Sequence, residues 1–138
     1  MKDRRAFLKT SMVVAAGAIT AGVAPAMGTM AHKVMFPKGI IYTKEDPGRW
    51  AKKVGSHLPI VTVEGRKVTI ETRHPMTERH YIVRHTLVTP DGTVLGEKTF
   101  YPTDKRAISE FEITGHHPLL YATSFCNKHD LWVAQFAV

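Results

Sequence analysis

Cys126 is the only cysteine of the chain, and it stands three residues before His129 in Cys126-Asn127-Lys128-His129-Asp130-Leu131-Trp132. A thiolate and an imidazole at that spacing can hold one transition metal. His74 and His80 bracket a short polar segment upstream, and His57 lies further back, two residues before Pro59. One soft anionic sulfur with several neutral nitrogens suits iron or copper; calcium and magnesium favour oxygen. The residue types therefore point to a mononuclear metal site, with Cys126 and His129 as its core pair and His74, His80 and His57 as further candidate ligands. A lone cysteine cannot close an internal disulfide, and in an oxidising compartment a free thiol survives when it is buried or metal-bound.

The other histidines read differently. His85 falls mid-strand, where it packs or faces solvent, and His116-His117-Pro118 is a turn. His32 lies next to a processing region, and a mononuclear site has no room for all eight histidines.

The elements that must position these ligands begin after a targeting segment. Residues 1–31 open with Lys2, Arg4 and Arg5 ahead of Phe7-Leu8-Lys9, continue with an apolar run from Ser11 to Ala24, and end in small residues. That is the layout of an export signal, with the paired arginines of the twin-arginine type. The run of about 14 residues falls short of the ~20 needed to span a bilayer, so the reading excludes a stable membrane anchor after cleavage near Ala26 or Ala31. Export of a folded chain suits a protein loaded with metal before it crosses. The expected location is the periplasm, and the expected domains are the signal (1–31) and one folded unit (32–138).

The formal charge of +7 shrinks once the signal is set aside, because 15 basic and 11 acidic residues remain. A small excess can draw small anions toward a site. No Lys/Arg cluster interleaved with aromatics is present, so nucleic acid is not an expected partner.

Residues 28–50 read as irregular, with Ile40–Thr43 a candidate short strand, and after them the pattern is β. Asp46-Pro47-Gly48 predicts a single helical turn, with Asp46 as N-cap and Pro47 at the first helical position. Pro59–Glu64 and Lys67–Thr72 flank a tight turn at Gly65-Arg66. Tyr81–Val88 and Val94–Tyr101 flank Pro90-Asp91-Gly92, a strong hairpin signal. Ala107–Ile113, Leu119–Phe125 and Leu131–Val138 complete the set. About seven short strands, with turn signals near every ten residues, predict an all-β antiparallel sandwich of immunoglobulin-like type. Pro75 keeps the His74–His80 stretch out of a strand interior. A loop there can turn both rings to one point; an extended strand would separate them by about 20 Å.

In order along the chain, Ser56-His57-Leu58-Pro59-Ile60-Val61, His74-Pro75-Met76-Thr77-Glu78-Arg79-His80-Tyr81-Ile82 and Cys126-Asn127-x-His129-x-Leu131-Trp132 resemble the iron motifs of the superoxide reductase family, that is, neelaredoxin and the iron-binding domain of desulfoferrodoxin. The resemblance runs from about residue 45 to 138. It implies one non-haem iron with four equatorial histidines (His57, His74, His80, His129) and axial Cys126. It implies one-electron reduction of superoxide to hydrogen peroxide at the position opposite sulfur, with a small electron-donor protein restoring the ferrous state; a homo-oligomer is compatible with it. Some members carry a further domain whose iron is held by four cysteines, and this sequence has no such set.

Two departures from the family pattern stand out. Gly55 and Ser56 occupy the positions of a Glu-Lys pair that usually precedes the first histidine, with Lys52 and Lys53 close by as substitutes. Asp130 stands where glycine is usual, placing a carboxylate that either anchors the imidazole of His129 or repels an anion. The loss of the Glu-Lys pair leaves open a non-catalytic iron protein for electron transfer or sensing. A cupredoxin is the third alternative, although no methionine follows His129 to serve as its axial ligand.

Overall fold

The computed structural model describes residues 36–138. The candidate export signal (1–31) and His32 lie outside the described residues. Eight strands form two sheets: β1 (Ile41–Tyr42), β2 (Ile60–Glu64), β3 (Lys67–Thr72), β4 (Ile82–Val88), β5 (Val94–Thr99), β6 (Ala107–Glu112), β7 (Leu119–Cys126) and β8 (Asp130–Ala137). One sheet runs β1-β8-β7-β4-β5 and the other β2-β3-β6. This is an all-β sandwich. Every pair is antiparallel except the short β1, which pairs parallel to β8 through Ile41↔Leu131 and Tyr42↔Trp132.

Period-two alternation sets the two faces. In β3, Val68, Ile70 and Thr72 turn inward while Lys67, Thr69 and Glu71 turn outward. In β7, Leu120, Ala122, Ser124 and Cys126 turn inward in the same way. The main core joins Val68 and Ile70 to Leu87, Ile113, Leu120 and Ala122. A second apolar cluster of Ile82, Phe100, Ala107 and Cys126, with Met76 against it, lies at the end of the sandwich where the sulfur sits. Gly65, at φ +60, opens the two-residue β2–β3 loop, where a positive φ matches the strand twist.

The helical segment differs from expectation. A 3-10 turn covers Gly48–Lys53 and runs on into a one-turn helix α1 (Val54–His57). Pro47 flanks this turn without starting it, and no side-chain cap is made. The cause is Gly48, whose φ of +47 reverses the chain directly after Pro47, against the ring of Tyr42. His57 is consequently the last residue of α1 and is 1% exposed, although Pro59 had suggested only a strand entry.

Candidate metal centre

Three separate features deliver the five donor side chains. Helix α1 carries His57. The loop after β3 carries His74 and His80, and reciprocal backbone bonds between Thr77 and His80 at 3.0 and 3.1 Å fold it back on itself. The β7–β8 turn carries Cys126 and His129. Asn127 ties this turn to the His80 segment: its Oδ1 accepts from the Tyr81 N–H at 3.1 Å and its Nδ2 donates to the Arg79 carbonyl at 3.1 Å.

The donor atoms of His57, His74, His80, Cys126 and His129 all lie within 4.8 Å of one another. His57 Nε2 is 2.9 Å from His129 Nδ1, which is 2.9 Å from His80 Nε2, which is 3.0 Å from His74 Nε2. Four nitrogens at that spacing leave their centre about 2.1 Å from each, the length of an imidazole–metal bond. The sulfur lies to one side, 3.6 Å from His129 Nδ1 and 4.0 Å from His74 Nε2.

Hydrogen bonds around the cluster fix two tautomers. Ser56 Oγ donates to the Lys53 carbonyl at 3.2 Å, so it accepts from His57 Nδ1 at 2.8 Å. His74 Nδ1 donates to the Pro75 carbonyl at 2.5 Å. Both Nε2 atoms therefore present lone pairs inward. With those two fixed, no choice of neutral tautomers for His80 and His129 turns all three nitrogen contacts into hydrogen bonds. At least one pair must meet lone pair to lone pair or proton to proton. A cation at the centre removes the conflict by accepting every lone pair at once.

Charge points the same way. Burial, then the neighbouring His74 and His129, push His57 down to about 3. Burial, then His80, push His74 down to about 4. Burial lowers His80 and His129 as well. The rings are thus neutral ligands at ordinary pH. Burial raises the Cys126 thiol, opposed by the backbone N–H groups of Lys128 and His129; the Lys128 N–H reaches Sγ at 3.5 Å. A metal cation is what would hold this sulfur as thiolate.

The surroundings add Arg49 and Trp50, which no local pattern singles out, to residues already named. Trp50 meets the ring of His129 edge-on at 4.5 Å between centroids, and Trp132 Nε1 donates to the His129 carbonyl at 2.9 Å. Asp130 does not bond the imidazole of His129. Its Oδ2 accepts from Arg49 Nη2 at 2.7 Å and from Trp50 Nε1 at 3.0 Å. Its φ of +64 explains why glycine suits this position. Lys53 is half-buried and its charge bears on His74, His80 and His129, whereas Lys52 is exposed. His85 lies outside the cluster, fully buried between Thr72 and Ser109. His117 bonds the Thr114 carbonyl in its turn.

The donor set fits a mononuclear non-haem iron site. Four imidazoles in a ring with one sulfur depart from the trigonal His2Cys arrangement of blue copper.

Comparison with known proteins agrees. The family model described as Desulfoferrodoxin matches residues 49–135. A variant of the superoxide reductase (neelaredoxin) from Ignicoccus hospitalis is 25% identical with a TM-score of 0.65, covering 75% of this chain and 98% of that one. The 1Fe superoxide reductase of Giardia intestinalis is 26% identical with a TM-score of 0.56, covering 60% and 98%. The superoxide reductase of Treponema pallidum is 31% identical with a TM-score of 0.51, covering 59% and 67%. Among curated proteins none matches this chain. The matched segment takes in all five clustered side chains and more than half of the chain, and on that ground the chain belongs to the desulfoferrodoxin family.

Proposed function

We propose that this protein is a mononuclear non-haem iron oxidoreductase that reduces superoxide to hydrogen peroxide. The observation that carries the reading is the convergence of four imidazole nitrogens and one buried sulfur on a single point. Iron bound there supplies one electron, which with two protons converts superoxide to hydrogen peroxide; a reduced electron-donor protein returns the electron.

The chain's own groups do the rest. His57, His74, His80 and His129 bind as neutral ligands and leave the metal's positive charge to attract an anion. Cys126, 1% exposed, holds the inner side of the site, while His80 and His129 are only half-buried and leave the outer side accessible. The Lys128 N–H draws electron density from the sulfur and so trims its basicity. Lys53 supplies the cation next to the imidazoles and takes the part of the usual family lysine. The paired Arg4-Arg5 supports a periplasmic location after twin-arginine export.

Rapid mixing of the reduced protein with superoxide tests the reaction. The expected result is stoichiometric oxidation of the iron with release of hydrogen peroxide. Slow or absent oxidation would favour the electron-transfer or sensing reading, which the Gly55-Ser56 replacement supports.

A further inference from the structure

Two ligand rings come from segments more than 70 residues apart in sequence, His57 on α1 and His129 on the β7–β8 turn. Backbone pairing does not join those segments at the site. Asp130 does. Its carboxylate takes both the guanidinium of Arg49 and the indole N–H of Trp50, pinning the 3-10 turn to the first residue of β8. From that turn two contacts lead to the ligands. Trp50 stands edge-on to the ring of His129. The Lys53 carbonyl holds Ser56 Oγ, which holds His57 Nδ1.

We propose that Asp130 is a positioning residue for the metal centre: by clamping Arg49 and Trp50 it fixes the mutual placement of His57 and His129 and slows loss of the metal. The inference rests on the metal-centre reading above. Two adjacent residues donating to one carboxylate oxygen, Oδ2, tie the 3-10 turn to β8 at two points along the turn. Groups that orient a metal's ligands typically change its retention about 10–100-fold when removed.

Asp130→Gly is a clean deletion, because glycine accepts the left-handed backbone at this position without strain and only the carboxylate is lost. The experiment loads the full chain with ferrous iron and follows its transfer to a strong chelator. It also records the optical spectrum of the oxidised form and the thermal unfolding of the metal-free form. The expected result is iron release faster by about tenfold or more in Asp130→Gly, with a shifted sulfur-to-iron absorption band and little change in metal-free unfolding. Asp130→Asn, which keeps an acceptor and tolerates the backbone, restores most of the retention. Trp50→Phe removes the N–H bond to Asp130 and trims the indole to a single ring beside His129; it releases iron at an intermediate rate and supplies the same reading if Asp130→Gly does not accumulate. Equal release rates and identical spectra in wild type and variants would overturn the clamp. A wild-type chain that takes up no iron would instead overturn the metal-centre reading beneath it.

Discussion

Ser56 Oγ lies 2.8 Å from His57 Nδ1 and donates its own O–H to the Lys53 carbonyl. The hydroxyl thereby forces the proton of the His57 ring outward and its lone pair inward. Ser56 stands directly before the first ligand histidine, where its hydroxyl acts as a tautomer lock. Ser56→Ala is expected to weaken metal binding about tenfold, in line with other ligand-orienting groups, while leaving the fold intact. Competition with a chromophoric chelator measures it.

Asn127 holds the loop that brings His80 to the site. Its side-chain amide bonds the backbone on both sides of His80, at Arg79 and at Tyr81. Asn127→Ala removes both bonds and is expected to cost about 1–2 kcal/mol of stability, together with faster iron loss than any effect on unfolding accounts for. Chemical denaturation and chelator extraction, run side by side, give the two numbers.

Lys53 and Lys52 are adjacent but not equivalent. Lys53→Gln is expected to slow oxidation by superoxide severalfold and to flatten its dependence on ionic strength, because a half-buried charge beside the imidazoles steers an anion. Lys52→Gln, at an exposed position, is expected to change neither by as much. Pulse-generated superoxide at two salt concentrations distinguishes the pair.

His85 is a second, structural histidine. Thr72 Oγ1 sits 2.9 Å from its Nε2 and Ser109 Oγ 2.9 Å from its Nδ1, and Thr72 also donates to Ser124 Oγ at 2.8 Å. The network joins the two sheets just behind Cys126. Burial, then Lys98, push His85 down to about 3. A depressed folded value means that the unfolded chain binds the proton more readily. The contribution is complete above the unfolded value near 6.5 and is lost as pH falls through the window from about 6.5 to 3. His85→Gln is expected to be less stable at pH 7.5 yet to lose less between pH 7 and 5, with a difference of at most about 2 kcal/mol. Denaturant unfolding of the metal-free proteins at both pH values checks it.

Much of this architecture is legible in local pattern. Alternation at Lys67–Thr72 and the turn residues Gly65 and Gly92 each map to an observed strand or hairpin turn. Pro75 marks a loop between His74 and His80, and such a loop is what lets the two rings meet. Three things escaped. Gly48 suits a reversal as well as a helix start; its φ of +47, beside the ring of Tyr42, is a tertiary outcome that local pattern does not choose. Asp130 reads as a neighbour of His129, yet its partners Arg49 and Trp50 stand 81 and 80 residues away, a separation that no periodicity encodes. Local pattern leaves His85 either packed or facing solvent, because a bulge between Ile82 and Arg84 interrupts the alternation of β4, and it does not name the two hydroxyls that meet the ring from the opposite sheet.

X-ray absorption at the iron edge, on the protein purified with its native metal, tests the central claim most directly. The expected result is one iron per chain, with four nitrogen neighbours and one sulfur neighbour, and loss of the sulfur signal in Cys126→Ser. A different metal, an iron without sulfur in its shell, or a sulfur signal that survives Cys126→Ser would contradict it.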